Sequence, residues 1–103
     1  MTIDLRALLA LVRDITGIDL VARPRTAPIT TRVQSARRIS VHAVRGLDAN
    51  AGALLRLLAL TKPAYARFER QPLDPSEKGA VDIIVTRLRK RGTLSGSNRF
   101  RDD

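Results

Sequence analysis

Cysteine and tryptophan are absent from this chain of 103 residues, and its only aromatic residues are Tyr65, Phe68 and Phe100. Without cysteine the chain can form no disulfide, no thiolate metal site and no thiol nucleophile. This composition agrees with a reducing compartment such as the cytoplasm. The scarcity of aromatic rings means that Leu, Ile, Val and Ala must supply the hydrophobic core.

Long apolar runs are also missing. No stretch approaches the roughly 18 apolar residues that a membrane-spanning helix needs, so we expect no membrane partner. Charged residues recur through residues 1–20, which argues against a signal peptide. At this length we expect a single domain, residues 1–92, followed by a flexible polar tail at residues 93–103.

Acidic residues are scarce in the middle of the chain. The net charge is +9, and residues 20–68 contain nine basic residues against Asp48 alone. Arg outnumbers Lys sixteen to three, which a GC-rich genome would explain, but genome composition does not explain the local loss of acids. A concentrated positive charge of this kind is typical of proteins that bind polyanions.

Helical periodicity is present throughout, and no segment alternates as a β-strand would. Apolar residues recur at spacings of three and four. The predicted helices are residues 3–16, 32–45, 49–59, 62–71 and 75–91. We therefore expect an all-α protein, a small bundle of about five helices containing a helix-turn-helix.

Residues that favour helix ends flank these segments. Their side chains or backbone preferences suit N-caps, first turns and left-handed C-terminal positions. The predicted N-caps are Thr2, Thr31 (in a capping box with Gln34), Asp48, Thr61 and Asp74 (with Glu77), and the predicted helix ends are Gly17, Gly46, Pro72 and Gly92.

Residues 51–70 fit the pattern of a helix-turn-helix. The motif needs two helices that bury apolar residues on either side of a short turn, which often contains glycine. Here Ala59 takes the small position where glycine is usual, Leu60 is the apolar turn residue and Thr61 caps the second helix. The residues expected to face the core are Leu54, Leu55, Leu58, Ala64, Tyr65 and Phe68. Another three-helix packing could give the same pattern.

The order of features over residues 18–71 resembles the C-terminal DNA-binding domain of the bacterial replication initiator DnaA, which belongs to the group of the tryptophan repressor. Arg23, Arg25 and Thr26 resemble its basic loop, residues 35–40 the start of its long helix, and residues 54–68 its helix-turn-helix. The resemblance covers about half of the chain and implies binding to duplex DNA. The chain departs from the family in its turn, because residues 60–65 replace the family's Gly-Gly-Arg-Asp-His-Thr-Thr, so recognition of the family's DNA sequence is not implied. The family's ATPase domain is absent from these residues, so initiator activity is not implied either.

From these residues we expect the second helix of the motif to enter the major groove, where long polar side chains can reach base edges. The candidate base contacts are Lys62, Arg67, Arg70 and Gln71. The flanking basic residues would lie along phosphates and fix the register. The candidate phosphate contacts are Arg23, Arg25, Thr26, Arg32, Arg37 and Arg38. So few base contacts predict weak specificity, unless a homodimer reads two half-sites.

Catalytic and metal-binding patterns are missing. His42 is the only histidine and has no neighbouring acid in the sequence, so a packing or surface role is favoured over metal binding. Asp74 and Glu77 are interpreted as caps, Ser95 and Ser97 lack an adjacent base, and no glycine-rich phosphate loop occurs. We therefore expect no enzymatic activity, no cofactor and no metal.

The leading hypothesis is a small DNA-binding regulator of transcription or replication, acting at the nucleoid, of the type that phages and mobile elements encode. The alternative is a helical adaptor or inhibitor that binds an acidic protein partner and exposes an apolar patch, with Leu57, Leu60 and residues 81–88 as candidates. RNA binding is a third hypothesis, which the scarcity of aromatic residues disfavours. The cluster at residues 87–91 suits either a solvated helix end or a second nucleic-acid contact.

Overall fold

The computed structural model describes residues 4–22 and 28–97, and in these ranges the protein consists of five helices without a β-strand. They are α1 (Leu5–Thr16), α2 (Thr31–Leu47), α3 (Ala51–Leu58), α4 (Lys62–Arg70) and α5 (Pro75–Ser97). The prediction of an all-α bundle of five helices is therefore confirmed. Within the described part of the chain no helix is both long and apolar enough to cross a lipid bilayer.

Several predicted helix ends are confirmed, and at each of them a side chain or a backbone N–H satisfies a group that the end of a helix leaves free. Gly17 follows α1 in the left-handed conformation with φ 79°, and Thr61 caps α4 by accepting a hydrogen bond from the N–H of Ala64. At the start of α5, Asp74 and Glu77 form the predicted reciprocal capping box, with N–H to carboxylate distances of 2.7 and 3.1 Å. This exchange satisfies two backbone donors that a helix start would otherwise leave unpaired.

Three of the predicted N-caps were wrong. Asp4 caps α1, whereas Thr2 lies outside the described residues. Thr30 rather than Thr31 caps α2. Asn50 rather than Asp48 caps α3, because Asp48 is itself the left-handed residue (φ 53°) that ends α2.

Glycine does not end a helix at either of two predicted positions. Helix α2 continues through Gly46 to Leu47, and α5 continues through Gly92 to Ser97, so residues 93–97 are helical where a polar tail was predicted. Residues 98–103 lie outside the described part. Gly46 lies where α2 approaches α5 closely, since a Cβ there would lie 3.2 Å from Cγ2 of Val85 on α5, a tight contact. Here tertiary contact between two helices overrides the local preference of glycine for a helix end.

The central element is α2, which packs against each of the other four helices, while α1 and α5 also pack against each other. Its buried side chains follow the helical spacing of Val33, Ala36, Ile39, Ala43 and Val44. Leu8 and Val12 of α1, Leu54 of α3, Phe68 of α4 and Ile84 and Leu88 of α5 complete this core. Helices α3 and α4 are thus attached chiefly through α2.

Contacts at both ends of α2 fix the directions of its neighbours. Ser35 near the start of α2 bonds to Glu77 in the first turn of α5, and Arg89 late in α5 donates to the carbonyl of Gly46 at 2.7 Å. Helices α2 and α5 therefore run parallel. Helix α4 runs antiparallel to α2, because Arg38 contacts Gln71 and His42, one turn later in α2, contacts Phe68, so Lys62 lies toward the C-terminal end of α2.

Candidate nucleic-acid interface on helix α4

Helix α4 buries one side against α2 and exposes the other. Phe68 is buried, and Tyr65 is partly buried against the core. Lys62, Arg67 and Arg70 are exposed. At 100° per residue, Pro63, Arg67 and Arg70 project within about 60° of one another, and Lys62 lies at the edge of the same face.

These three exposed cations make no hydrogen bond or ion pair through their side chains with the described part of the chain. Arg67 and Arg70 are three residues apart, a spacing at which like charges on a helix repel each other. Their position in the last turn is favourable for the helix dipole, which attracts cations to the C-terminal end. Lys62 occupies the first turn, where the same dipole disfavours a cation.

Gln71 does not share this exposed face, contrary to its predicted role as a base contact. Its Oε1 accepts a hydrogen bond from Nη1 of Arg38 at 3.2 Å, and its backbone N–H donates to the carbonyls of Arg67 and Phe68. Gln71 is thus the residue that ends α4, and its side chain is directed toward α2.

The C-terminal end of α4 is held by His42 of α2. Its Nε2 lies 3.1 Å from the carbonyl oxygens of both Phe68 and Gln71. Because a carbonyl oxygen only accepts hydrogen bonds, Nε2 must carry the proton and donate to them. The predicted packing role of His42 is the one that this geometry supports, and no group of three or more His, Asp or Glu residues able to hold a metal ion occurs within the described residues.

Side-chain hydrogen bonds at two levels form an antiparallel ladder between α2 and α4, and its register continues to Arg45 and Tyr65. Arg38 meets Gln71, and His42 meets the carbonyls at residues 68 and 71. Arg45 lies one turn after His42 in α2, and Tyr65 lies one turn before Phe68 in α4. The charge of Arg45 acts on the pKa of the Tyr65 phenol. Burial raises the pKa of the Tyr65 phenol above 10.0, the charge of Glu69 raises it further, and Arg45 opposes this by lowering it. Arg45 itself is exposed.

The predicted phosphate contacts divide into three groups. Arg23, Arg25 and Thr26 lie outside the described residues. Arg32 is exposed, but its Nη2 donates to the carbonyl of Thr16 at the end of α1 at 3.1 Å. Arg37 is partly buried.

Arg38, the remaining predicted phosphate contact, forms an internal ion pair. Its Nη2 lies 3.3 Å from Oε2 of Glu77, and the two side chains are only 18% and 7% exposed. The same carboxylate oxygen accepts a short hydrogen bond of 2.5 Å from Oγ of Ser35. Since burying a charge is costly unless it is paired, Arg38 is engaged in holding α5 and α4 to α2. Arg32 and Arg38 thus have internal partners, whereas Lys62 and Arg67 have none within the described part of the chain.

The turn between α3 and α4 consists of Ala59, Leu60 and Thr61. Ala59 adopts φ 54°, the left-handed conformation that favours glycine, as the sequence pattern at this position predicts. Of the predicted core residues of the motif, Leu54, Leu58 and Phe68 are buried, Tyr65 is partly buried against the core, and Leu55 and Ala64 are only partly buried. The turn residue Leu60 is also partly buried against the core. The arrangement of helix, three-residue turn and helix is present, and its use as a DNA-binding motif stays a prediction.

Sequence reasoning missed Arg45 as a candidate functional residue. Its signal was its spacing, because Arg38, His42 and Arg45 follow one another by four and three residues and must share one face of α2.

Comparison with protein families, with curated proteins and with solved structures found no match to this chain, so the resemblance to the DnaA domain also stays a prediction.

Proposed function

We propose that this protein binds duplex DNA by presenting α4 to the major groove, as a small regulator of transcription or replication. The observation that carries the proposal is the exposed face of α4, with three cations that have no internal partner in the described chain. Folding does not account for the whole arrangement, since Lys62 opposes the helix dipole and Arg67 repels Arg70, although both arginines suit the last turn of the helix. A polyanion would remove both costs.

The dimensions and chemistry of this face suit a groove of DNA. The major groove of B-DNA admits an α-helix, and a guanidinium or an ammonium group can donate to the O6 and N7 acceptors of guanine. Pro63 and Ala66 are small residues between the cations, so the backbone of α4 can approach closely. In this proposal Arg67 and Arg70, which project from one side of α4, read base edges, while Lys62 at the edge of that face lies near the phosphates.

The contacts at the C-terminal end of α4 support rigid presentation of the helix. His42 and Arg38 together occupy the carbonyl and side-chain acceptors of residues 68 and 71. A helix of nine residues is marginal by itself, so its orientation depends on such tertiary contacts. Holding the helix in place reduces the entropy lost when DNA binds.

The test is fluorescence anisotropy of a labelled duplex, comparing the triple variant K62Q/R67Q/R70Q with the control R6Q/R13Q/K78Q. Both variants lose three charges from exposed positions, and only the first lies on α4. We expect the α4 variant to bind about a hundredfold more weakly at low salt, and the control to bind within about threefold of the wild type. Equal weakening by both variants would indicate non-specific attraction to net charge, and no binding by the wild-type protein would overturn the proposal.

A regulator should also favour its own operator. We therefore include the DNA that flanks the gene, random duplex of the same length, and an RNA duplex. Preference for the flanking DNA supports sequence reading, whereas equal binding to both DNAs supports an architectural role. Stronger binding to the RNA duplex would contradict entry of α4 into the major groove, because that groove is deep and narrow in RNA.

The adaptor hypothesis receives less support. Of the residues proposed to form its docking patch, Leu57 and Leu60 are partly buried against the core, and Val81, Ile84 and Leu88 are buried. These side chains are occupied in holding the bundle together, and Ile83 is the one large hydrophobic residue of the range 81–88 that is exposed, which is less than a docking patch needs.

A further inference from the structure

The antiparallel ladder between α2 and α4 places a further cation beside the proposed recognition helix. Its first two rungs are the hydrogen bonds of Arg38 with Gln71 and of His42 with Phe68, and the same register brings Arg45 to the level of Tyr65, whose pKa its charge lowers. Each step moves about one turn forward in α2 and one turn back in α4. The first two rungs are internal hydrogen bonds, whereas the third level ends at the surface with the exposed guanidinium of Arg45.

Arg45 differs from the arginines near the start of α2 in what it contacts. Arg32 donates to the carbonyl of Thr16, and Arg38 is paired with Glu77. The side chain of Arg45 makes no hydrogen bond or ion pair with residues of the described chain. Its guanidinium is thus available to a partner that approaches α4.

Lys62 extends the same flank of α4, since it lies three residues before Tyr65. The flank also carries Glu69, which lies one turn beyond Tyr65 and is partly buried. Two exposed cations against one partly buried acid leave an excess of positive charge at the edge of the helix. A phosphate backbone passes along each edge of a helix that occupies the major groove, and arginine and lysine are its usual contacts.

We propose that Arg45 contacts the phosphate backbone on the Lys62 side of α4, and that Arg32 and Arg38 do not contact it. The inference rests on the proposed function, and it assigns backbone recognition to the C-terminal end of α2.

The alternative role for Arg45 is structural, because it lies in the last turn of α2, where a cation stabilises the helix dipole. The two roles differ in measurable ways. A dipole effect changes thermal stability and leaves the salt dependence of DNA binding unchanged. A phosphate contact contributes to the slope of log K against log salt, by about 0.9 for each phosphate neutralised on B-DNA.

The experiment measures this slope for the wild-type protein, R45Q, R45K and R32Q. Both glutamine variants remove one charge from an exposed residue of α2. We expect R45Q to lower the slope by about 1 and the affinity by roughly eightfold at 0.1 M salt, equally for all duplex sequences. We expect R45K to keep the wild-type slope and R32Q to leave it unchanged. The thermal midpoint of each variant shows whether it is folded.

The outcomes separate the inference from the proposed function. If the wild type binds duplex and loses binding in K62Q/R67Q/R70Q, but R45Q keeps the wild-type slope, the role of Arg45 is overturned while the proposed function stands. A lower slope in R32Q would also overturn the inference. If the wild type does not bind duplex at low salt, the proposed function fails and the phosphate contact fails with it.

Discussion

Arg38 and Glu77 form an ion pair of 3.3 Å between α2 and α5, and both side chains are largely buried. Oε1 of the same carboxylate caps α5, and its Oε2 accepts from Ser35. Glu77 therefore joins two roles, one in starting a helix and one in balancing a buried charge. Removing one partner of such a pair is strongly destabilising, because the other charge stays buried without compensation.

Glu77→Gln tests this account of the ion pair. The amide keeps an acceptor for the N–H of Asp74 but loses the charge that compensates Arg38. We expect the free energy of unfolding to fall by about 2–4 kcal/mol, measured by urea denaturation followed by circular dichroism. The double variant R38M/E77Q should recover part of this loss, since it removes the uncompensated cation and keeps an acceptor at residue 77 for the N–H of Asp74. A change below about 0.5 kcal/mol in Glu77→Gln would show that the pair contributes little.

Ala59→Gly tests the strain in the turn between α3 and α4. The left-handed conformation of Ala59, with φ 54°, costs about 1–2 kcal/mol for a residue with a Cβ, and glycine avoids this cost. Part of the gain is offset by the greater flexibility of glycine in the unfolded chain. We expect a net stabilisation of about 0.5–1 kcal/mol, seen as a higher urea midpoint with an unchanged m-value. Destabilisation would mean that Ala59 does not adopt this conformation.

Gly46→Val tests the close approach of α2 to α5. A Cβ at this position lies 3.2 Å from Cγ2 of Val85, and the larger valine would force the helices apart. We expect a loss of about 1–3 kcal/mol, typical of overpacking. The matched control is Gly79→Ala on α5, where a Cβ meets nothing within 4 Å. The control should stabilise the protein by about 0.5–1 kcal/mol through helix propensity, and equal effects in both variants would contradict the packing.

Tyr65 can be titrated without interference because it is the only tyrosine and the chain has no tryptophan. Burial and Glu69 raise its pKa above 10.0, so the midpoint of tyrosinate absorbance should lie above that value in the folded protein. Arg45→Gln should raise the midpoint further, because it removes the charge that lowers it, and Glu69→Gln should lower it. A midpoint unaffected by Arg45→Gln would place Arg45 away from Tyr65.

The same shift predicts the pH dependence of stability. A raised pKa means that the folded state binds the phenolic proton more tightly than the unfolded state does. This contribution is fully present below the unfolded value near 10 and is lost as the pH rises through the folded pKa. Tyr65→Phe removes the contribution, so its stability should fall less steeply than that of the wild type above pH 10.

Local signals predicted the helices better than they predicted the surface. Thr61 and the Asp74–Glu77 box act within one turn of the chain, so spacing alone identified them. Gly46 was predicted to end a helix, but α2 continues to Leu47, and Gly46 instead lies where α2 closely approaches Val85 of α5. Such an effect depends on a residue 39 positions away, which no local pattern contains.

Local patterns were also insufficient for the predicted site, because they do not contain the tertiary contacts of its side chains. The exposure of Lys62, Arg67 and Arg70 follows from the helical period of α4. The engagement of Arg38 by Glu77, and of Gln71 by Arg38, arises from the tertiary arrangement of α2, α4 and α5. An arginine at an internal ion pair and an arginine on the surface look identical in the sequence, so charge counting assigned both to phosphates.

The most direct test of the central claim is a map of amide chemical shifts as a short duplex is titrated into the isotope-labelled protein. If α4 enters the major groove, the largest changes will lie at residues 62–71 and near Arg45, and the amides of α1 (Leu5–Thr16) will keep their positions. Changes centred on α1, or no changes when the duplex is added in excess at low salt, would contradict the account.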